Sequence, residues 1–147
     1  MFAFAGNAQG ASRSAILEAI HNLENPRNLP RPGPCGELGA YQFRAATWRM
    51  HTSLPFQHAV NRVTSDAIAI KHYEWIKRGL ESAGVPATAY YIALAWNGGL
   101  SAAISGRAPA VARNYAQRAE NLAAVLERAN SPVVFNFRTD DTSIAAQ

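Results

Sequence analysis

Apolar positions along this chain recur mostly at helical spacing, and prolines and glycines cut the pattern into segments. Ile16, Ile20 and Leu23 fall at i, i+4 and i+7, which predicts a helix from Ser14 to about Glu24. Ser12 or Ser14 can serve as its N-cap, and Pro26 ends it. The stretch "AYQFRAATWRM" reads as a short helix that stops before Pro55. A long amphipathic helix follows, with Val60, Val63, Ala67, Ile70, Tyr73, Ile76 and Leu80 as its apolar stripe. Gly84 is its expected C-terminal stop, with Pro86 beyond. "ATAYYIALAWNGG" is apolar on every side, the mark of a helix in the middle of a domain, and Gly98 and Gly99 end it. A turn of helix near Leu100–Ile104 leads to a last helix from about Ala110 to Arg128, with Val111, Tyr115, Leu122 and Val125 as its stripe.

No repeat and no convincing sheet interrupts this series, so the expected fold is a single small all-α domain. Its expected limits are an N-terminal extension over 1–13, the domain itself over 14–128 and a tail over 129–147. Val133–Phe137 is strand-like in composition and is expected to form a minor irregular or strand-like segment on that tail. One region resists the pattern. Between Glu24 and Phe43 the chain holds four prolines and three glycines, a long loop of the sort that compact domains keep for function.

Composition narrows the classes. The chain has 147 residues, 48% of them apolar, enough for a proper core. Its formal charge of +4 is carried almost wholly by arginine, which favours polyanionic partners without choosing among nucleic acid, cell-wall polymer and membrane surface. A lone Cys35 excludes an internal disulfide and any multi-cysteine metal site. "KHYEW" is not a His-Glu-x-x-His motif and the four histidines lack ligand-like spacing, so neither a metal nor another cofactor is expected. No nucleophile elbow and no phosphate-cradling glycine loop occurs. The opening "MFAFAGNAQGASRS" lacks the features of a signal peptide, and no segment is apolar enough to span a bilayer, so membrane insertion is not expected.

What remains is carboxylate chemistry. Glu24 follows Leu23 at the end of an apolar helical face, where the helix dipole and an apolar wall both raise a carboxyl pKa. It reads either as an ordinary exposed helix end or as an acid kept protonated for proton donation, which glycoside cleavage requires. Gln42 is expected at the start of the next helix, with Gly39 and Ala40 before it letting the backbone approach a ligand closely. "AWNGG" and "RNYAQRA" read individually as a helix stop and an amphipathic turn.

Taken in order, "AIHNLEN … GELGAYQF … AWNGG … RNYAQRA" resembles the lysozyme-like fold of soluble lytic transglycosylases and goose-type lysozymes. The resemblance spans roughly Ser14 to Leu126. Leu23-Glu24-Asn25 stands where the family has an apolar residue followed by Glu-Ser, and Gly39-Ala40-Tyr41-Gln42 where it has Gly-Leu-Met-Gln. Ala95-Trp96-Asn97-Gly98-Gly99 stands for Ala-Tyr-Asn-Ala-Gly, and Arg113-Asn114-Tyr115 with Arg118 for the late Arg-Asn-Tyr. The substitutions at Asn25, Tyr41 and Trp96 put the shape of the glycan subsites in question.

The resemblance implies cleavage of the β-1,4 bond between N-acetylmuramic acid and N-acetylglucosamine in peptidoglycan. Glu24 would be the catalytic acid, with Tyr115 holding it by a hydroxyl hydrogen bond or steadying the sugar. Gln42 and Asn97 would bind acetamido and hydroxyl groups, and Tyr41 would line the groove. Trp48, Trp75 and Trp96 each read as core or groove aromatics. The location implied is the periplasm, the cell envelope or the outside of the cell, and the implied assembly is a monomer.

Glu37 bears on the reaction. A lytic transglycosylase needs one carboxyl group, whereas an inverting hydrolase needs a second, roughly 6.5–9.5 Å from the first, to activate water. Goose-type lysozymes carry an aspartate near this place and transglycosylases commonly a small residue, so Glu37 is a candidate base or a solvated loop residue. Two rivals stand beside this reading: a chitinase- or chitosanase-like hydrolase, and a non-catalytic basic helical module binding cell-wall polymer or nucleic acid. Nucleic acid is not expected as a partner, because no basic run with interleaved aromatics occurs.

Overall fold

The computed structural model describes residues 10–132. These residues form an all-α domain: α1 (Arg13–Glu24), α2 (Ala45–His51), a 3₁₀ turn (Phe56–Val60), α3 (Arg62–Ser82), α4 (Ala89–Gly98), α5 (Leu100–Ser105) and α6 (Ala110–Asn130). No strand occurs among them, only one antiparallel bridge between Leu38 and Phe43. The strand-like segment expected at Val133–Phe137 lies outside the described residues.

The termini of these helices follow side-chain chemistry. Ser12 caps α1 by accepting from the Ala15 N–H, and the same serine donates to Glu127 through both its backbone N–H and its hydroxyl. The start of α1 is thereby tied to the end of α6. Asn61 caps α3 and Thr88 caps α4 in the same manner. Gly84 takes the left-handed conformation at the end of α3 while the Val85 N–H returns to the Leu80 carbonyl, the stop expected there.

α4 occupies the middle, packed against α1, α3, α5 and α6. Ile92, Ala93, Leu94 and Ala95 are all buried, as an all-round apolar helix demands. α6 turns Ala112, Tyr115, Ala116, Ala119 and Ala123 inward; of the stripe expected, Tyr115 is buried and Leu122 packs on the core, while Val111 and Val125 face solvent. Small side chains let the two helices approach closely; a Cβ placed on Gly98 would lie 3.0 Å from that of Ala112. The stripe of α3 is also displaced. Val63, Ala67 and Ile70 are exposed, and the buried face runs through Ser65, Ile68, Ala69, His72, Tyr73, Ile76 and Leu80. Two polar residues therefore sit on the inner face of α3, where hydropathy alone points elsewhere.

Candidate active site

Residues 25–44 cross one face of the helical body and wall off a cleft of about 580 Å³. Glu24, Glu37, Gln42 and Asn97 all line it, so the structure brings four of the six sequence-expected site residues to one cavity. A smaller adjoining hollow of about 250 Å³ shares Glu24, Pro34 and Gln42 with it and extends the groove along the loop.

Glu24 is the last residue of α1. Its carboxylate accepts a 2.8 Å hydrogen bond from the hydroxyl of Tyr115, which comes from α6, 91 positions along the chain. Burial raises the Glu24 pKa above the ordinary carboxylate value, the negative charge of Glu37 adds to that, and the Tyr115 hydrogen bond works against it. The cause expected from the apolar wall is thus the main one. Tyr115 is itself nearly buried; desolvation first, then Glu24, holds its hydroxyl protonated and makes it a permanent donor.

Glu37 is tuned the other way. The N–H groups of its own residue and of Cys35 donate to it, the latter at 2.9 Å, and the Arg44 guanidinium lies 3.9 Å away, so its pKa falls below the ordinary value. The two acids share a cleft but not an environment. One is favoured in the protonated form and the other as a carboxylate.

The loop achieves this by hydrogen bonding to itself. Asn25, buried directly after Glu24, donates from its amide to the carbonyls of Leu29 (3.0 Å) and Gly39 (3.1 Å) and accepts from the Leu29 N–H (3.0 Å). It clasps the two ends of the loop together. Leu38 and Phe43 exchange two 3.0 Å backbone bonds and close the turn between them. Gln42 therefore sits in a tight turn with φ 47°, not at the start of a helix; α2 begins at Ala45. A left-handed glutamine is uncommon, and here its own amide donates to the Gly39 carbonyl at 3.0 Å.

Two further expectations are corrected. Gly39 does make a close approach, but to the protein: φ is +81° and a Cβ there would collide with the Ala59 carbonyl. Tyr41 does not reach the cleft. It is buried, its hydroxyl donates to Asp66 at 2.7 Å, and it borders a separate depression with Arg62 and Ile70. The turn that aims Gln42 inward sends its neighbour behind the wall, and Phe43 lines the cleft in its place. Of the tryptophans, Trp48 is wholly core, Trp75 is exposed and Trp96 lines the cleft.

Residues that motif reading passed over also shape the site. A Cβ on Gly33 would lie 2.6 Å from a carboxylate oxygen of Glu37 and 2.7 Å from the Gln42 amide oxygen, so both side chains rest against this bare backbone. The signal was present in "RPGP", a glycine kept between prolines. His72 of α3 is the other. It lines the cleft beside Trp96, and the displaced stripe of α3 concealed it. No group of three or more His, Cys, Asp or Glu able to hold a metal occurs among the described residues, and no described helix is long and apolar enough to cross a membrane. Comparison with protein-family models, with curated proteins and with solved structures finds no match to the chain.

Proposed function

We propose that the protein is a peptidoglycan-cleaving glycosidase of the lysozyme-like fold, acting on the β-1,4 bond between N-acetylmuramic acid and N-acetylglucosamine. The observation that carries the reading is the half-buried Glu24 at the end of α1, hydrogen-bonded to a protonated Tyr115 and facing an open cleft. A carboxylic acid whose pKa is raised by burial is suited to protonate the glycosidic oxygen as the bond to the sugar lengthens. Gln42 and Asn97 supply amide donors and acceptors suited to acetamido and hydroxyl groups, and the half-buried Trp96 offers apolar surface to a sugar ring. The net charge of +4 suits an anionic wall.

Hydrolysis is the reaction that Glu37 favours. An ionised carboxylate in the cleft with the acid can take a proton from water as that water attacks the anomeric carbon from the opposite face. Glu24 gives its proton to the leaving oxygen, and the products are a free hydroxyl and a reducing end. Lytic transglycosylation is the second reading, favoured by the hydrogen bonds that hold Glu37 and weaken it as a base. Glu24 would then act twice, first as acid and then as the carboxylate that draws a proton from the muramyl 6-hydroxyl. Mass spectrometry of the muropeptides released from purified peptidoglycan separates the two: reducing ends mean hydrolysis and anhydromuramic ends mean transglycosylation. No release at all sinks both. Turnover of chitin oligomers without action on peptidoglycan transfers the assignment to a chitinase-like hydrolase.

A further inference from the structure

Beside the cleft, two histidines from different helices face each other. His51, the last residue of α2, places its Nε2 3.0 Å from the Nδ1 of His72 on α3. His72 is buried, and three aromatic rings fix its plane. Trp75 stacks on it with centroids 5.6 Å apart and planes 11° from parallel, while Trp96 meets it edge-on at 4.7 Å and Phe43 at 6.2 Å. Yet the same ring lines the cleft. Among the described residues its Nε2 has no hydrogen-bond partner, while Ser65 Oγ is the one sealed side-chain polar atom that lacks one. The Nε2 of His72 is therefore not sealed off, and the residue lines the cleft.

We propose that His72 is a substrate-contacting residue, hydrogen-bonding a hydroxyl of a bound sugar through Nε2, and that His51 is the positioning residue that commits the other ring nitrogen. This rests on the glycan-cleaving reading of the cleft and adds to it a recognition point outside the four motifs. The ligand chemistry follows from the pair. One proton lies between the two rings, so His72 presents Nε2 as a donor when His51 donates and as an acceptor when His51 accepts. A sugar hydroxyl answers either state, because it can both give and take a hydrogen bond. Desolvation, and after it His51, pushes His72 down to about 4, and burial together with Lys71 and Arg78 lowers His51 as well. The pair thus meets its ligand uncharged at neutral pH. Trp96, packed against His72, is positioned to offer its apolar face to the same sugar.

The test uses soluble, uncrosslinked peptidoglycan glycan strands as the probe and Glu24→Gln as the host, so that binding is read without turnover. Histidine nitrogen NMR should show the His72 Nε2 resonance moving as strands are added. Adding His72→Phe, which keeps the aromatic packing and removes both nitrogens, should weaken binding about three- to tenfold, the usual worth of one hydrogen bond. His72→Gln should recover part of that loss. With Glu24 intact, His72→Phe should raise KM by the same factor and leave kcat within about twofold. A resonance that stays still at saturation, equal affinity with and without His72→Phe, or a Glu24→Gln host that binds no strands each overturns the proposal. Should His72→Phe fail to fold, the NMR shift and the His72→Gln affinity decide. Muropeptide release by the wild-type protein is scored separately. Strands that bind through His72 and are never cut refute the glycosidase reading, whereas cleavage with an unaffected His72→Phe refutes only this one.

Discussion

The cleft has two walls built on opposite principles. The helical wall, from the end of α1 across to α4 and α6, is apolar packing of small residues, with Ala112, Ala116 and Ala119 of α6 almost inaccessible. The loop wall over 25–44 holds few buried side chains and keeps its shape through the Asn25 clasp and the Leu38–Phe43 bridge. The carboxylates inherit the character of the wall that carries them. Packing desolvates Glu24 and raises its pKa, while the backbone N–H groups of the loop donate to Glu37 and lower it. Two chemically similar acids thereby acquire opposite protonation preferences from their surroundings.

Glu24→Gln should break the comparison most completely. Activity on peptidoglycan should fall by about 10²–10⁴-fold, the span typical of a lost general acid, measured by muropeptide release. The same substitution should raise Tm at neutral pH. A half-buried carboxyl whose folded pKa lies above its ordinary 4.5 supports the fold while protonated and loses that support as pH rises through the folded value. The gain in Tm should therefore vanish below about pH 4.5 and be complete above the folded pKa of Glu24. Glu37→Gln should cost hydrolysis on the order of 10²-fold and, opposite to Glu24→Gln, lower Tm slightly at neutral pH, because a carboxylate held below its ordinary pKa supports the fold while ionised and loses that support as pH falls through the lowered value. If Glu37→Gln keeps full activity while Glu24→Gln abolishes it, the base assignment fails and transglycosylation stands.

Two glycines sharpen the contrast within the loop wall. Gly39→Ala forces a side chain onto the Ala59 carbonyl at φ +81°, and should destabilise the domain by roughly 3 kcal/mol or more, read from denaturant unfolding. Gly33→Ala meets only the mobile ends of Glu37 and Gln42, so stability should change by under about 1 kcal/mol. Activity should nevertheless drop about tenfold, because both groups are pushed from their places by a methyl group and small misplacements at a reacting centre are costly. Equal activity of Gly33→Ala and wild type would show that neither Glu37 nor Gln42 needs its present position.

How much of this was legible beforehand differs between the walls in the same way. Breakers and an all-round apolar run located every α-helix, and α4 was recognisable as the central one because it is apolar on every side up to Trp96, with Asn97 exposed at its end. The buried faces of α3 and α6 were read only in part: Tyr73, Ile76, Leu80 and Tyr115 are buried as expected, but alanine, serine and histidine fill the rest, and a hydropathy stripe favours valine and isoleucine even where these point to solvent. Glu24, Gln42, Asn97 and Tyr115 could be named from motifs and spacing. The environment of Glu37 could not, since it depends on backbone N–H groups and on the path of the turn. Tyr41 failed for a related reason. One left-handed residue at Gln42 decides which neighbour faces the groove, and no side-chain pattern announces it.

The smallest expected effect concerns the contact that joins the walls of the helical body, Tyr115 to Glu24. Tyr115→Phe removes the one interaction that lowers the Glu24 pKa and leaves desolvation and Glu37 acting alone, so that pKa must rise further. The acid form is the active one for proton donation, and activity is lost as pH climbs through the pKa of Glu24. The alkaline limb of the pH–rate profile should therefore move to higher pH in Tyr115→Phe. The acid limb, where Glu37 takes up its proton as pH falls through a lowered pKa, should stay where it is. At the optimum the rate should fall only about two- to tenfold, the cost of a single hydrogen bond that aims the carboxyl. A profile narrowed on its alkaline side would mean that the hydroxyl serves the protonated form of Glu24, reversing the role assigned to it. A limb that does not move would mean that the acid titrating in the profile is not Glu24.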